Sequence, residues 1–361
     1  MKGLFLYLLV TINSFAAVDF NDGINPEIAP SGRALAMGNA FTSAVNDAMA
    51  SFYNPGGLGS IRRGHFHLSN LHLEFNKDWL DIGKEGKIID IPGNFINAFS
   101  LDGMRELLLE NKGMMAYNRF SFVPNFTNRF FSVGYLYNQQ VKGRIKINSN
   151  TFEFADRLDH GPYGTLNFSF NGGILKFGVT GIYLTRKELM DDVDGTATFN
   201  PNPESYKTGS RIIYIAGGRL TLPINWLPTF SVTVHNALDA RFTGDKSDGI
   251  SQLERNTVLG LSITPKMGNR TTLHLEMDYR DASNQYEDIK LARKISLGAE
   301  IGFYQTLFVR FGLSDGFGSF GLGLKSKKLE FDITSYATDK TAEEFRGEED
   351  RRFAMSVSQG F

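Results

Sequence analysis

From about residue 65 onward this chain alternates apolar and polar side chains with a period of two, the spacing of a strand with one apolar face. Leu273, Leu275, Met277 and Tyr279 alternate with Thr272, His274, Glu276 and Asp278. Ile295, Leu297, Ala299, Ile301 and Phe303 alternate with Ser296, Gly298, Glu300 and Gly302. Phe131, Val133, Tyr135 and Tyr137 repeat the pattern. A soluble sandwich turns such a face toward its core. A membrane barrel turns it toward lipid and keeps the polar face for the lumen.

Connection lengths separate the two cases. Short connections fall at 124–127, 171–173, 223–228, 266–269, 304–305 and 326–327. Long polar ones fall between them, near 77–118, 143–162, 187–206, 239–254, 281–290 and 338–350; only 314–316 breaks the rule. A sandwich has no reason to sort its loops this way, whereas a membrane barrel puts short turns at one end and long loops at the other. The expected fold is all-β: a transmembrane antiparallel β-barrel of about fourteen strands. Composition agrees. Lys and Arg number 38 against 39 Asp and Glu, so no basic surplus points to nucleic acid. With 0 Cys there is no disulfide framework, zinc–thiolate site or Cys nucleophile.

Both ends of the sequence read as addresses. Lys2, the apolar run Gly3–Ile12 and Ser14-Phe15-Ala16 have the order of a cleaved export signal, residues 1–16. Phe353, Met355, Val357 and Phe361 share one face of the last strand. A terminal aromatic there resembles the signal read by barrel-assembly machinery, an expected partner. Gln359 departs from that pattern.

Between the ends of the signal and the barrel, residues 31–59 read SGRALAMGNAFTSAVNDAMASFYNPGGLG. The alanines allow close backbone approach, Asn46 can cap a short helix through Phe52, and Pro55 pushes Asn54 out of helical geometry. Gly32-Arg33-Ala34, Met37-Gly38-Asn39-Ala40, Asn46-Asp47-Ala48 and Tyr53-Asn54-Pro55 resemble the N-terminal hatch of the FadL-type hydrophobic-compound transporters. They equally resemble the start of the PorV-like outer-membrane proteins. Gly56 stands where Ala is usual. The resemblance implies a plug over 17–64 built of short helical turns, inside a barrel over 65–361. The plug motif is then Gly32, Arg33, Gly38, Asn39, Asp47, Asn54, Pro55 and Gly56.

Other motifs carry less. Gly316-Phe317-Gly318-Ser319-Phe320-Gly321 matches G-x-G-x-x-G, but strand alternation continues through Leu322 and Leu324, where a dinucleotide site needs a helix. Asp191-Asp192-Val193-Asp194-Gly195 has Met190 and Pro201 at the first and last ligand positions of a calcium loop. His65 and His67 share a face without a third ligand, and no nucleophile accompanies His274, Glu276 and Asp278. No catalytic residue, metal or cofactor is assigned.

Two features bear on transport. Leu101–Lys112 reads as a helix capped by Ser100, and Leu101, Met104, Leu107 and Leu108 form an apolar face that could capture ligand or cap the barrel mouth. Glu276, Asp278, Glu300, Glu330 and Asp332 are expected to be lumen acids, and Arg33 should meet either Asp47 within the plug or an inward acid such as Glu276, Asp278, Glu300 or Asp332. The resemblance implies a monomer in outer-membrane lipid that passively takes up hydrophobic small molecules of the long-chain fatty-acid kind. The alternative is a PorV-like scaffold or shuttle in protein secretion and surface attachment.

Overall fold

A computed structural model describes residues 18, 20, 28–61, 64–83, 100–287, 289–340 and 345–360. Residues 1–16, the expected export signal, and Phe361 lie outside the described residues. Fourteen strands close into one antiparallel barrel. In chain order they are β1 His65–Asn76, β2 Met115–Phe122 with its continuation Asn125–Thr127, β3 Phe131–Ile145 and β4 Thr151–Phe170. Then follow β5 Leu175–Asp194, β6 Lys207–Thr221, β7 Thr229–His235, β8 Asn256–Ile263 and β9 Thr271–Tyr279. The last are β10 Ile295–Phe303, β11 Leu307–Ser314, β12 Phe317–Lys325, β13 Leu329–Asp339 and β14 Glu349–Gly360. Each pairs with its neighbours in sequence, and β14 pairs with β1 to close the ring. A short ribbon, Thr243–Lys246, adds to the edge of β6.

Side chains sort by parity. Val133, Leu166, Val179, Phe230, Leu297 and Ile333 are exposed on the outer, lipid-facing side. The polar set Asn138, Thr165, Thr180, Thr233 and Ser296 is buried on the inner side. Among the described residues no helix is long and apolar enough to span a membrane; the strands do so. The Gly-rich motif at 316–321 opens with a tight turn. Asp315 and Gly316 both have positive φ, 54° and 83°, as a two-residue hairpin turn of the primed kind requires.

Several boundaries differ from the sequence expectation. The connection placed at 124–127 is not a turn. Pro124 has no N–H and interrupts β2, but its carbonyl still accepts from Tyr135 N at 3.1 Å, and pairing resumes at Asn125–Thr127. The connection placed at 143–162 shrinks to residues 146–150, because β3 and β4 stay paired from Phe131↔Leu166 to Ile145↔Phe152. Likewise β5 runs on to Asp194, which pairs with Thr151, so Asp191–Asp194 is strand and not loop. These extensions rise beyond the lipid-facing band, where lipid no longer dictates one strictly apolar face and the alternation signal fades.

That extension explains the first long connection. Helices α3 Lys77–Ile82 and α4 Leu101–Glu110 follow α1 Gly32–Ala36 and α2 Ala50–Tyr53 of the N-terminal region. Leu101, Met104 and Leu108 are buried, and Leu107 packs against the same cluster, with Trp79, Val141, Ile145, Phe152 and Phe154. Val141, Gly143 and Ile145 have the parity of the exposed Phe131, Val133 and Tyr135, so α4 lies on the outer face of the wall, not across the mouth. The expected open apolar patch is therefore covered: the barrel's own side chains fill it. Ser100 caps α4 through Gly103 N, and Arg105 Nε donates to Asp102 at 2.7 Å. Burial opposes ionisation of Asp102, but Arg105 and the Phe199 N–H hold its carboxyl below the usual range.

Closure is tied by one carboxylate. Glu74 on β1 is fully buried and accepts from His72 Nε2 at 2.6 Å, Tyr117 OH of β2 at 3.0 Å and Tyr336 OH of β13 at 2.9 Å. Arg119 stands at 3.5 Å.

Candidate functional site

Residues 28–61 pack inside the barrel. Where their backbone meets the wall, the inner positions are glycine. A Cβ on Gly298 would lie 2.8 Å from Met37 O, one on Gly321 2.5 Å from Ala36 Cβ, and Gly178 and Gly312 abut Pro55 and Gly38. This belt lets the plug backbone approach strand backbone, which any larger residue would prevent.

The motif residues make this docking. Ser31 caps α1, and Gly32 O accepts from Thr334 Oγ1 at 2.8 Å. Gly38 and Asn39 take positive φ, 61° and 58°, and reverse the chain after α1. Asn54 is fully buried: its amide donates to Thr42 O and Gly218 O at 2.9 and 3.3 Å and its carbonyl accepts from Gly56 N. Pro55 opens the 3₁₀ turn Pro55–Ser60. A Cβ at Gly56 would stand 3.2 and 3.3 Å from Lys176 O and Gly217 O, which accounts for Gly where Ala is usual. The cap for the turn into α2 is Asp47, whose Oδ1 accepts from Met49 N at 2.9 Å, and not Asn46, which instead accepts from Arg33.

Arg33 joins plug to wall. It reaches Glu300 through Nε and Nη2 and Asp47 at 3.3 Å, and its guanidinium lies 5.0 Å from the Phe41 ring centroid. Glu300 also accepts from Arg310 Nε at 2.7 Å, and Arg310 pairs with Asp332. Two further inner acids hold the turn after α1. Asp278 Oδ2 accepts from Phe41 N, Thr42 N and Thr42 Oγ1 at 2.9, 3.0 and 2.8 Å; Glu276 accepts from Ser43 N and His274. Glu330 pairs with Lys325 and lies within electrostatic reach of Arg33 and Asp332 without contacting either. Among the described residues no group of His, Asp or Glu is placed to hold a metal.

Above the plug, toward the end with long connections, residues 236–255 fold inward. Phe242 sits between the guanidiniums of Arg186 and Arg211, 5.1 and 4.6 Å from its centroid. Ser251 donates to Glu188 at 2.8 Å and accepts from Arg186 Nη1 at 2.7 Å, while Arg186 makes a two-point pair with Asp159. Between this loop, the plug and β6–β8 lies a cavity of about 60 Å³, mostly apolar. Phe52 and Tyr53 supply the plug side, Ile213, Ile215 and Val258 the wall, Leu253 the loop. His235, Asn256 and Arg280 make its polar side.

No family model and no curated protein matches the chain. Solved structures do. The CymD monoaromatic hydrocarbon channel superposes with a TM-score of 0.50 at 10% identity, over 93% of this chain and 98% of that one. The chain shares the fold of that channel. A Pseudomonas aeruginosa FadL homologue and the P. putida toluene transporter TodX align at 12% and 8% identity, each with a TM-score of 0.48 over 92% of this chain and 98% and 97% of theirs.

No local pattern marks the cavity. Its lining comes from seven separate stretches, and the apolar residues that turn the 236–255 loop inward, Phe242, Ile250 and Leu253, are scattered among polar ones.

Proposed function

We propose that this barrel carries small apolar molecules passively across the outer membrane, with the long connections outside the cell. The observation that carries this reading is the apolar cavity set between a docked plug and the wall, beneath an inward-folded loop. A molecule entering from outside meets Leu253, then the cavity, then the plug. Onward movement requires the plug to shift, or a sideways exit where Pro124 breaks β2. The plug motif from Gly32 to Gly56 and the acids Glu276, Asp278, Glu300 and Asp332 act in this reading as the latch. CymD is described as a hydrocarbon channel, and a compact ring of that kind suits the cavity better than a whole fatty-acid chain, which needs the 236–255 loop to move.

The test is uptake of radiolabelled toluene and of laurate by cells lacking their own such barrel, with and without this protein. Expression should raise uptake of at least one, and Val258→Trp, which fills the cavity, should cancel the gain. Equal uptake with and without the barrel overturns the reading. Purification with a stoichiometric protein partner, and no uptake, would favour the secretion scaffold.

A further inference from the structure

The cavity is apolar except on one side, and that side holds an arginine whose hydrogen bonding is incomplete. Arg280 follows Tyr279 at the end of β9, two residues beyond the inward Asp278, and is 6% exposed. Its backbone N–H continues the wall by donating to Lys294 O at 2.7 Å. One terminal nitrogen, Nη2, clips the Asn39 carbonyl of the plug. Its Nε is buried with no hydrogen-bond partner.

Most neighbouring polar groups are engaged elsewhere; the exception is Asp278 Oδ1, which is buried without a hydrogen-bond partner and within electrostatic reach of Arg280, though the two form no ion pair. Asp278 Oδ2 takes the Phe41 and Thr42 N–H groups, and Thr42 Oγ1 donates to the same oxygen. His235 Nε2 faces Phe52 O at 3.0 Å. Asn236 Nδ2 donates to Leu253 O at 2.8 Å, and its Oδ1 accepts from Ala240 N. Glu254 is exposed at the rim. Among the described residues, Arg280 makes no ion pair with any carboxylate. A buried N–H left unpaired has lost its water without gaining a partner, and a bare hydrocarbon lying against it leaves that cost in place. A ligand oxygen there removes it.

We infer that the molecule admitted here carries one hydrogen-bond-accepting oxygen on an otherwise apolar body, and that Arg280 selects for that oxygen. This rests on the uptake reading above and narrows it from apolar compounds in general to singly oxygenated ones. A ring ketone or cyclic alcohol has the right chemistry. The oxygen meets Nε, and the ring lies against Ile213, Ile215, Phe52 and Val258. About 60 Å³ accommodates the oxygenated end, and outward movement of Leu253 makes room for the remainder.

The experiment compares two probes of nearly equal shape, cyclohexanone and methylcyclohexane. Binding is measured by ligand-observed NMR to the full-length protein in lipid nanodiscs, corrected against empty nanodiscs. Wild type should bind the ketone about tenfold more tightly than expected from its partition into lipid, relative to the hydrocarbon. In Arg280→Met that preference should vanish, and in Arg280→Lys, which keeps a donor, it should partly remain. Because Arg280 also clips the plug, each variant is first checked for heat-modifiable mobility, and the wild-type comparison stands even if a variant misfolds. Equal binding of both probes by wild type, or a preference that survives Arg280→Met, overturns the inference and leaves the uptake reading intact. Saturable binding of neither probe overturns both.

Discussion

Arg33 Nε and Nη2 meet the two oxygens of Glu300 at 2.7 and 2.8 Å, joining residues 267 positions apart in sequence. Planar two-point pairing of this kind fixes orientation as well as distance. The bond therefore sets the rotation of α1 in the lumen, and the Arg310–Asp332 pair behind Glu300 keeps the carboxylate from turning away. Arg33→Ala should loosen the plug by about 3 kcal/mol, at the low end for breaking a buried pair because Glu300 keeps Arg310. The barrel strands pair without the plug, so heat-modifiable gel mobility should persist while planar-bilayer conductance rises. A variant as closed as wild type would mean that glycine-belt packing alone holds the plug.

Gly38 is the point of that packing where a close approach coincides with left-handed backbone. It combines φ of 61° with a Cβ position 2.7 Å from Leu313 N, so Gly38→Ala adds both strain and a clash against strand backbone. The expected cost is about 2 kcal/mol or more, seen as faster proteolysis within residues 28–61 while the barrel stays resistant. Unchanged cleavage would show that the turn can open without leaving the wall.

The outer-face helix gives a third prediction. Leu108 is fully buried against the β3–β4 wall, so Leu108→Asp should cost about 3–5 kcal/mol locally and raise hydrogen exchange across Leu101–Glu110. Uptake should be unaffected, since α4 lies outside the lumen. A specific loss of uptake in a folded variant would restore Leu101, Met104, Leu107 and Leu108 as a capture site.

Acid should loosen the same helix. The Asp102 carboxyl is depressed in the folded chain, so its contribution is full above the unfolded Asp value of about 4 and is lost as pH falls through the lower folded value. Exchange in α4 should therefore rise as pH falls below about 4 in wild type. In Asp102→Asn the change over that window should be smaller; an identical rise in both would assign it to other groups.

What the sequence disclosed follows from how strongly each region obeys one rule. Leu273–Tyr279 reads as a strand because one face meets lipid and the other meets Ser43 and the plug. Residues 144–156 do not, because above the membrane Arg144 pairs with Glu153 on the inner face while Phe152 and Phe154 are covered by α4 on the outer one. The same covering hid the role of the helix: its apolar face and its cap at Ser100 are local and legible, but the partner surface is set by pairing register. Arg33 needed an acid on simple grounds of burial, and Glu300 was among the inward set. Nothing local marks Arg280, whose neighbours in the cavity come from segments more than 20 residues away, such as Val258 and Phe52.

Glu74 has a consequence for how the chain reaches its finished form. Its donors come from β1 itself, from β2 and from β13, so they are synthesised near both ends of the barrel sequence. Until the last strands arrive beside β1, the carboxylate keeps His72, Tyr117 and Arg119 but lacks Tyr336 and the cover of the closing strands, so water fills that side. Ring closure thus exchanges that water for the Tyr336 hydroxyl, and a chain short of its final strands would carry, at its open edge, a hydrated charge in place of the finished contact.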